Sequence, residues 1–167
     1  MHRGLSVYAN LISTPRTSAP KVFYLWGAAG SGKTRAAWEC FDADPERVYV
    51  VPLYSDSLWF DGYDSRKHTV ILFDEFFHNF KFRMFNQLID RYRAQVPVKN
   101  GFVNLNSKFI VFTSNIGLHQ QYPNCPDQDA LWRRFTRVLL VCPDVYYMCD
   151  GSHPVGVWPK PTRVVYP

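Results

Sequence analysis

The eight residues Gly27-Ala28-Ala29-Gly30-Ser31-Gly32-Lys33-Thr34 constrain this chain more than any other stretch. They fit the pattern G-x-x-x-x-G-K-[ST] and fall between a short apolar run, Val22 to Leu25, and a segment with helical character, Thr34 to Phe41. In that setting the glycines let the backbone wrap, so that its N–H groups and the N-terminus of the next helix face a phosphate chain. The pattern assigns Lys33 to the β- and γ-phosphates of a nucleoside triphosphate and the Thr34 hydroxyl to Mg²⁺. With glycine at about 7% of residues, a fortuitous match is expected on the order of once in a hundred chains of this length.

The rest of the chain alternates strand and helix. Further apolar runs at Val48 to Val51, Thr69 to Phe73, Lys108 to Thr113 and Val138 to Val141 read as buried strands. Lys81 to Arg93 places Phe82, Phe85, Leu88, Ile89 and Tyr92 at helical spacing. A short helix is expected from Asp127, whose side chain can cap its first turn. Asn100-Gly101, inside residues 95–104, marks a two-residue hairpin turn. Short apolar strands joined by helices imply an α/β fold: a mainly parallel five-stranded sheet between helices, with a protruding β-hairpin. Residues 1–20 read as a linker or the remnant of a preceding region, 21–150 as the α/β domain, and 151–167 as an extended proline-rich tail.

Composition narrows the class without deciding function. The 167 residues suit one domain, and 47% hydrophobic with 20% charged residues is an ordinary globular balance. No apolar run of about 18 residues occurs, so no membrane partner is expected. The N-terminus lacks an apolar signal core, so secretion is not expected either. The four cysteines have no metal-ligand spacing and read as free thiols. A formal charge of +5 is compatible with a polyanionic partner.

Four weaker signals gain meaning from their order after the glycine-rich loop. Asp74 and Glu75 end an apolar strand, where acids face a ligand beyond the carboxyl ends of the sheet. Asp74 suits Mg²⁺ coordination and Glu75 suits activation of an attacking water, although a solvated turn also carries such pairs. Asn115 ends the strand Phe112-Thr113-Ser114 and could hydrogen-bond the γ-phosphate and the lytic water; by itself it is more often a turn former, and its place after the acids is what raises it. Leu131 and Phe135 share one helical face, which turns Arg133 outward as a candidate finger for a neighbour's site, with Arg134 in support. Two solvated arginines on a helix would look the same. Lys99 and Asn100 at the hairpin tip suit gripping a phosphate backbone, though exposed lysine there is ordinary.

Taken together, the loop, the strand ending in Asp74-Glu75, the Lys99 hairpin, Thr113-Ser114-Asn115 and Leu131-Trp132-Arg133-Arg134 resemble a known family. It is the AAA+-like superfamily 3 helicase domain of replication initiator (Rep) proteins from circular single-stranded DNA viruses, the circovirus-like group in particular. Trp59-Phe60-Asp61-Gly62-Tyr63, Pro97 to Gly101 and Arg3-Gly4-Leu5 add to the resemblance, which spans roughly residues 20–141. It implies an ATP- and Mg²⁺-dependent 3′-to-5′ motor on single-stranded DNA. The motor would assemble with itself as a ring, usually a homo-hexamer, with Lys99 hairpins lining the pore. Lys33 and Thr34 would bind nucleotide and Mg²⁺, Asp74 and Glu75 would be the acids of hydrolysis, and Asn115 the sensor. Arg133 or Arg134 would complete the neighbouring subunit's site. Localisation in the host nucleus follows from the resemblance alone.

The nicking endonuclease of full-length family members needs a His-x-His motif and a tyrosine nucleophile that are not recognisable here, so nicking is not expected of this chain. Ring assembly is expected to be weak without the family's oligomerisation helices. Other readings are a superfamily 3 motor acting on RNA, a small P-loop kinase for a metabolite, and a nucleotide-gated binding module without turnover. A kinase should carry an arginine-rich lid where this sequence has a hairpin, and the intact Lys33, Asp74, Glu75 and Asn115 speak against a silent module.

Overall fold

A strand with four consecutive buried apolar residues can only sit inside a sheet covered on both faces, and Val70–Phe73 (β3) does so. In the computed structural model, which describes residues 13–41, 44–53, 58–78, 81–125, 127–142, 145–149 and 162–164, it pairs with Val48–Val50 (β2) and Phe109–Ser114 (β6). Lys21–Trp26 (β1) lies between β6 and Arg137–Cys142 (β7), and these pairings are all parallel. The order β2-β3-β6-β1-β7 is the expected five-stranded parallel sheet. Two antiparallel strands, Val145–Cys149 (β8) and Thr162–Val164 (β9), extend it beyond β7 to seven strands.

Those two strands correct the expectation that the series closes at Val141. The β7–β8 connection is too short for a crossover helix, so the chain must return antiparallel. The rest of the proline-rich tail, like Arg3-Gly4-Leu5, lies outside the described residues.

Side chains alternate across the sheet with a period of two and build two cores. On one face Tyr24, Ile71, Phe73, Ile110 and Phe112 pack together, with the Phe73 and Phe112 rings stacked at 4.7 Å. The other face holds Leu25, Val70, Leu72 and Val111 beneath Ala36 and Ala37 of helix α1, Lys33–Phe41. Helix α2, Phe82–Ile89, covers the first face with Phe85, Leu88 and Ile89. Truncating Phe112, which is fully buried, to alanine would cost about 3–5 kcal/mol.

Helix α2 stops at Ile89, four residues short of the expected Arg93, and Tyr92 is 73% exposed rather than part of the apolar stripe. The cause lies far away in sequence. Arg16, itself buried, donates to the carbonyls of Leu88 (2.9 Å) and Asp90 (2.7 Å), satisfying the helix end where the chain turns into the hairpin. Ser13 receives the Asn104 side-chain amide at 3.0 Å. Part of the segment read as a linker therefore anchors the domain.

The hairpin forms from Gln95–Val98 (β4) and Gly101–Asn104 (β5), with Val98 opposite Gly101. Its turn residues are thus Lys99 and Asn100, one position earlier than expected, and Asn100 takes the positive φ of 70°. Burial decides this register. Val96 and Val103 face each other and are buried, and a one-residue slip would turn them out to solvent.

Candidate active site

Strand neighbours β3, β6 and β1 end side by side, which brings their carboxyl ends to one crevice. Trp26 pairs with Ser114 and Phe73 with Phe112, so residues 27, 74–75 and 115 emerge together. The glycine-rich loop leaves β1 at Gly27, whose N–H donates to the Ser114 carbonyl at 3.2 Å. A Cβ on Gly27 would come within 2.3 Å of the Val141 carbonyl oxygen, so glycine is required to tuck the loop against β7. Gly30 and Gly32 have φ of +77° and +92°, and a Cβ on Gly30 would meet no atom within 4 Å. Ser31 Oγ is buried without a hydrogen-bond partner among the described residues. An open cradle with an orphaned hydroxyl fits the binding of phosphate oxygens.

Lys33 begins α1, and its Nζ donates to the carbonyls of Gly27 (3.0 Å) and Ala28 (2.7 Å). Burial pulls this ammonium below the ordinary lysine value, while Asp74 and Glu75 act in the opposite direction. Thr34 Oγ1 donates to Asp74 Oδ1 at 2.8 Å. The same oxygen accepts from Thr113 Oγ1 at 2.6 Å. Thr113 Oγ1 in turn accepts the Glu75 N–H at 2.9 Å, and the Phe76 N–H reaches the Thr113 carbonyl at 2.7 Å. Glu75 has φ of 54°, a strained value for a residue with a Cβ, and its side chain is exposed. A hydroxyl and a carboxylate in contact, beside a loop built for phosphate, form the donor set that Mg²⁺ takes when substrate oxygens and water complete its shell.

Sequence reasoning missed the polar hub beneath this crevice. Gln121, in the short helix Leu118–Gln121 (α3), is buried. Its Nε2 lies within hydrogen-bond distance of Tyr24 Oη (2.6 Å), Ser114 Oγ (2.9 Å) and the Phe76 carbonyl (3.0 Å), which share its two N–H groups, and its Oε1 accepts the His78 N–H at 2.6 Å. One amide thus ties β1, the end of β6 and the segment after Asp74-Glu75. A lone glutamine in a loop carries no sequence signal for that role. Thr113 was visible only as the residue leading to Ser114-Asn115.

The structure brings Gly27 to Thr34, Asp74, Glu75 and the exposed Asn115 into one region. Arg133, Arg134, Lys99 and Asn100 lie on other elements. Helix α4, Gln128–Trp132, is capped by Asp127 accepting the Ala130 N–H, and it ends before the arginine pair, so the helical geometry expected through Phe135 stops short. Arg133 is exposed, and no hydrogen bond or ion pair engages its side chain among the described residues. Arg134 pairs with Asp90 at 3.2 Å and also donates to the Ala130 carbonyl. Lys99 is exposed at the hairpin tip, where its N–H donates to Asp61.

Comparison with known proteins agrees with this geometry. The family model described as RNA helicase matches residues 23–116. Replication-associated proteins are similar over most of the chain. That of Beak and feather disease virus is 36% identical over 81% of this chain and 44% of the relative. That of goose circovirus is 34% identical over 86% and 47%, and that of Human associated cyclovirus 1 is 32% identical over 83% and 50%. The chain spans about half the length of these relatives. Among solved structures, the S. cerevisiae Hsp104:casein complex in its extended conformation superposes with a TM-score of 0.52 at 16% identity, over 75% of this chain and 29% of that one, which places the fold.

Proposed function

Because the chain belongs to the RNA helicase family of superfamily 3, with the Rep proteins of circoviruses and cycloviruses as homologues, we propose that it is an ATP-driven 3′-to-5′ motor acting on single-stranded DNA within a viral rolling-circle replication initiator. The observation that carries this reading is the hydrogen-bonded chain Thr34–Asp74–Thr113, which couples the phosphate loop to the acids through two strands. Lys33 leaves its carbonyl partners to neutralise the β- and γ-phosphates, and Thr34 and Asp74 hold Mg²⁺. Mg²⁺ held there would supply positive charge to the transferring phosphoryl oxygens. Glu75 orients and deprotonates the attacking water, and Asn115 senses the γ-phosphate.

Arg133, being exposed and unengaged among the described residues, is the residue that reaches a neighbouring subunit's site; Arg134 is committed to Asp90 within its own subunit. Such an arrangement makes the active unit a ring of copies, a hexamer in our reading. Lys99 and Asn100 grip the phosphate backbone from the hairpin tip. The description of the matching family model keeps RNA as the second substrate reading.

Hydrolysis rate per subunit, measured against protein concentration with single-stranded DNA, single-stranded RNA or neither, tests the proposal. A rate that rises with concentration and with DNA supports a DNA motor with shared sites, and preferential stimulation by RNA moves the substrate to RNA. A rate indifferent to concentration and to both polymers removes the motor reading in favour of a self-contained site.

A further inference from the structure

The hairpin has an outer face that faces a cleft of about 600 Å³, bounded on its other side by α2. In the antiparallel register Gln95 pairs with Asn104 and Pro97 with Phe102. These four alternate with the buried Val96 and Val103, so they share the hairpin's outer side, and all four line the cleft. The opposite wall comes from Met84, Gln87 and Leu88, spaced i, i+3 and i+4 on α2, with Arg93 just beyond the helix. The volume lies within the range of small-molecule sites.

The chemistry of the walls is selective. Phe102 is 55% exposed beside Pro97, an aromatic face left open on a strand whose inward residues are buried. Arg93 is exposed and unengaged among the described residues, and no carboxylate lines the cleft. Gln87 and Gln95 supply amide donors and acceptors, while the Asn104 amide is held by Ser13 and by Gln95 Nε2. An aromatic face, one cation, amides and no acid match a single splayed nucleotide: base against ring, phosphate against guanidinium, base edge against amides. Leu58, Ala94 and Val96 give the cleft an apolar floor, but Gln87, Gln95 and Arg93 interrupt its walls, whereas a partner helix would call for a continuous apolar groove. From Pro97 to Lys99 the strand runs about 7 Å at its usual rise, so the cleft and the hairpin tip can serve one continuous strand.

We infer that this cleft is a binding subsite for one unstacked nucleotide of a single-stranded nucleic acid, with Phe102 stacking on the base and Arg93 holding its phosphate. The inference rests on the reading of the chain as a single-strand binding motor and adds a contact away from the hairpin tip.

The test is the affinity of the full chain for fluorescent 20-nucleotide deoxy and ribo oligonucleotides and for an abasic deoxy strand of equal length, over a salt series. Phe102→Ala should weaken binding to base-bearing strands roughly tenfold, about the effect of one stacked base, and leave abasic binding unchanged. Phe102→Trp should restore affinity. Arg93→Ala should weaken all strands and reduce the salt slope by about one. Equal effects on deoxy and ribo strands would fit stacking on any base; a loss confined to one of them assigns the subsite to that sugar. If Phe102→Ala binds like the unaltered chain while Lys99→Ala does not, the subsite is wrong and the motor reading stands. If the unaltered chain binds no single strand, both fail. If Phe102→Ala and Arg93→Ala alter only sedimentation, the cleft seats a second copy and the inference is overturned.

Discussion

Thr113 on β6 and Asp74, just past the end of the neighbouring β3, are joined by a 2.6 Å hydrogen bond to the carboxylate oxygen that also receives Thr34. Since Thr113 Oγ1 simultaneously accepts the Glu75 N–H, one hydroxyl orients both acids. Thr113→Val should therefore lower turnover roughly 10- to 100-fold, the usual penalty for removing a group that orients metal ligands, while nucleotide affinity falls much less. Steady-state hydrolysis beside equilibrium nucleotide binding checks the split. A loss confined to affinity would contradict it.

The two arginines after α4 should separate cleanly. Arg133→Ala should leave the denaturation midpoint unchanged and cut DNA-stimulated turnover by on the order of 10³, as loss of a trans-acting arginine does. Mixing it with Glu75→Gln protein should recover part of the activity. Arg134→Ala should instead cost about 1 kcal/mol of stability, because its partner Asp90 is only partly solvated. Urea unfolding of both variants distinguishes the roles.

Asp90 predicts the acid limb of stability. Burial works against its charge, yet the Arg91 N–H and the Arg134 guanidinium hold the carboxyl below its ordinary value. The folded state thus binds this proton less readily than the unfolded chain. The contribution is complete above about pH 5, where the unfolded carboxyl is ionised, and is lost as pH falls through the unfolded and then the lower folded value. Urea midpoints for wild type and Asp90→Asn between pH 7 and pH 3 should converge at the acid end. Parallel curves would show that Asp90 carries no such linkage.

Tyr24 Oη keeps the Ile116 carbonyl in Gln121→Leu, but that change, which retains the apolar bulk, removes the amide partners of the Phe76 carbonyl and the His78 N–H together. Leaving them unmet inside the domain should cost about 2–4 kcal/mol, read as a lower urea midpoint at constant slope. Gln121→Glu, which keeps the acceptor but loses donors, should also be destabilised.

How legible each part was depends on how far its cause lies along the chain. The phosphate loop and the acid-bearing strand were readable because a few contiguous residues specify each. Burial of β3 on both faces likewise shows in Val70 to Phe73 alone. The end of α2 was misplaced because Arg16, 72 residues before Leu88, supplies the terminating hydrogen bond. The hairpin turn was shifted by one because Asn-Gly is a local preference, whereas the buried Val96–Val103 pair is a tertiary constraint. Thr113 stood inside a recognised segment, but its bonds to Asp74 and Glu75 exist only once β6 lies beside β3. Gln121 depends on contacts as far as 97 residues away and left no local trace.

The hairpin is clamped along its length: Val96 and Val103 bury its base, the Phe60 N–H holds Pro97 at 2.9 Å, and Asp61 holds the Lys99 N–H at the tip. Such a finger has little compliance of its own. A load on Lys99 passes through residues 60–61 into the sheet, and a shift of the sheet arrives at Lys99 almost undiminished. The tip's travel is then set by how far the whole body tilts. On the proposed motor reading, cutting the Asp61 strut would make the finger springy, so that fuel is still consumed while displacement per event shrinks.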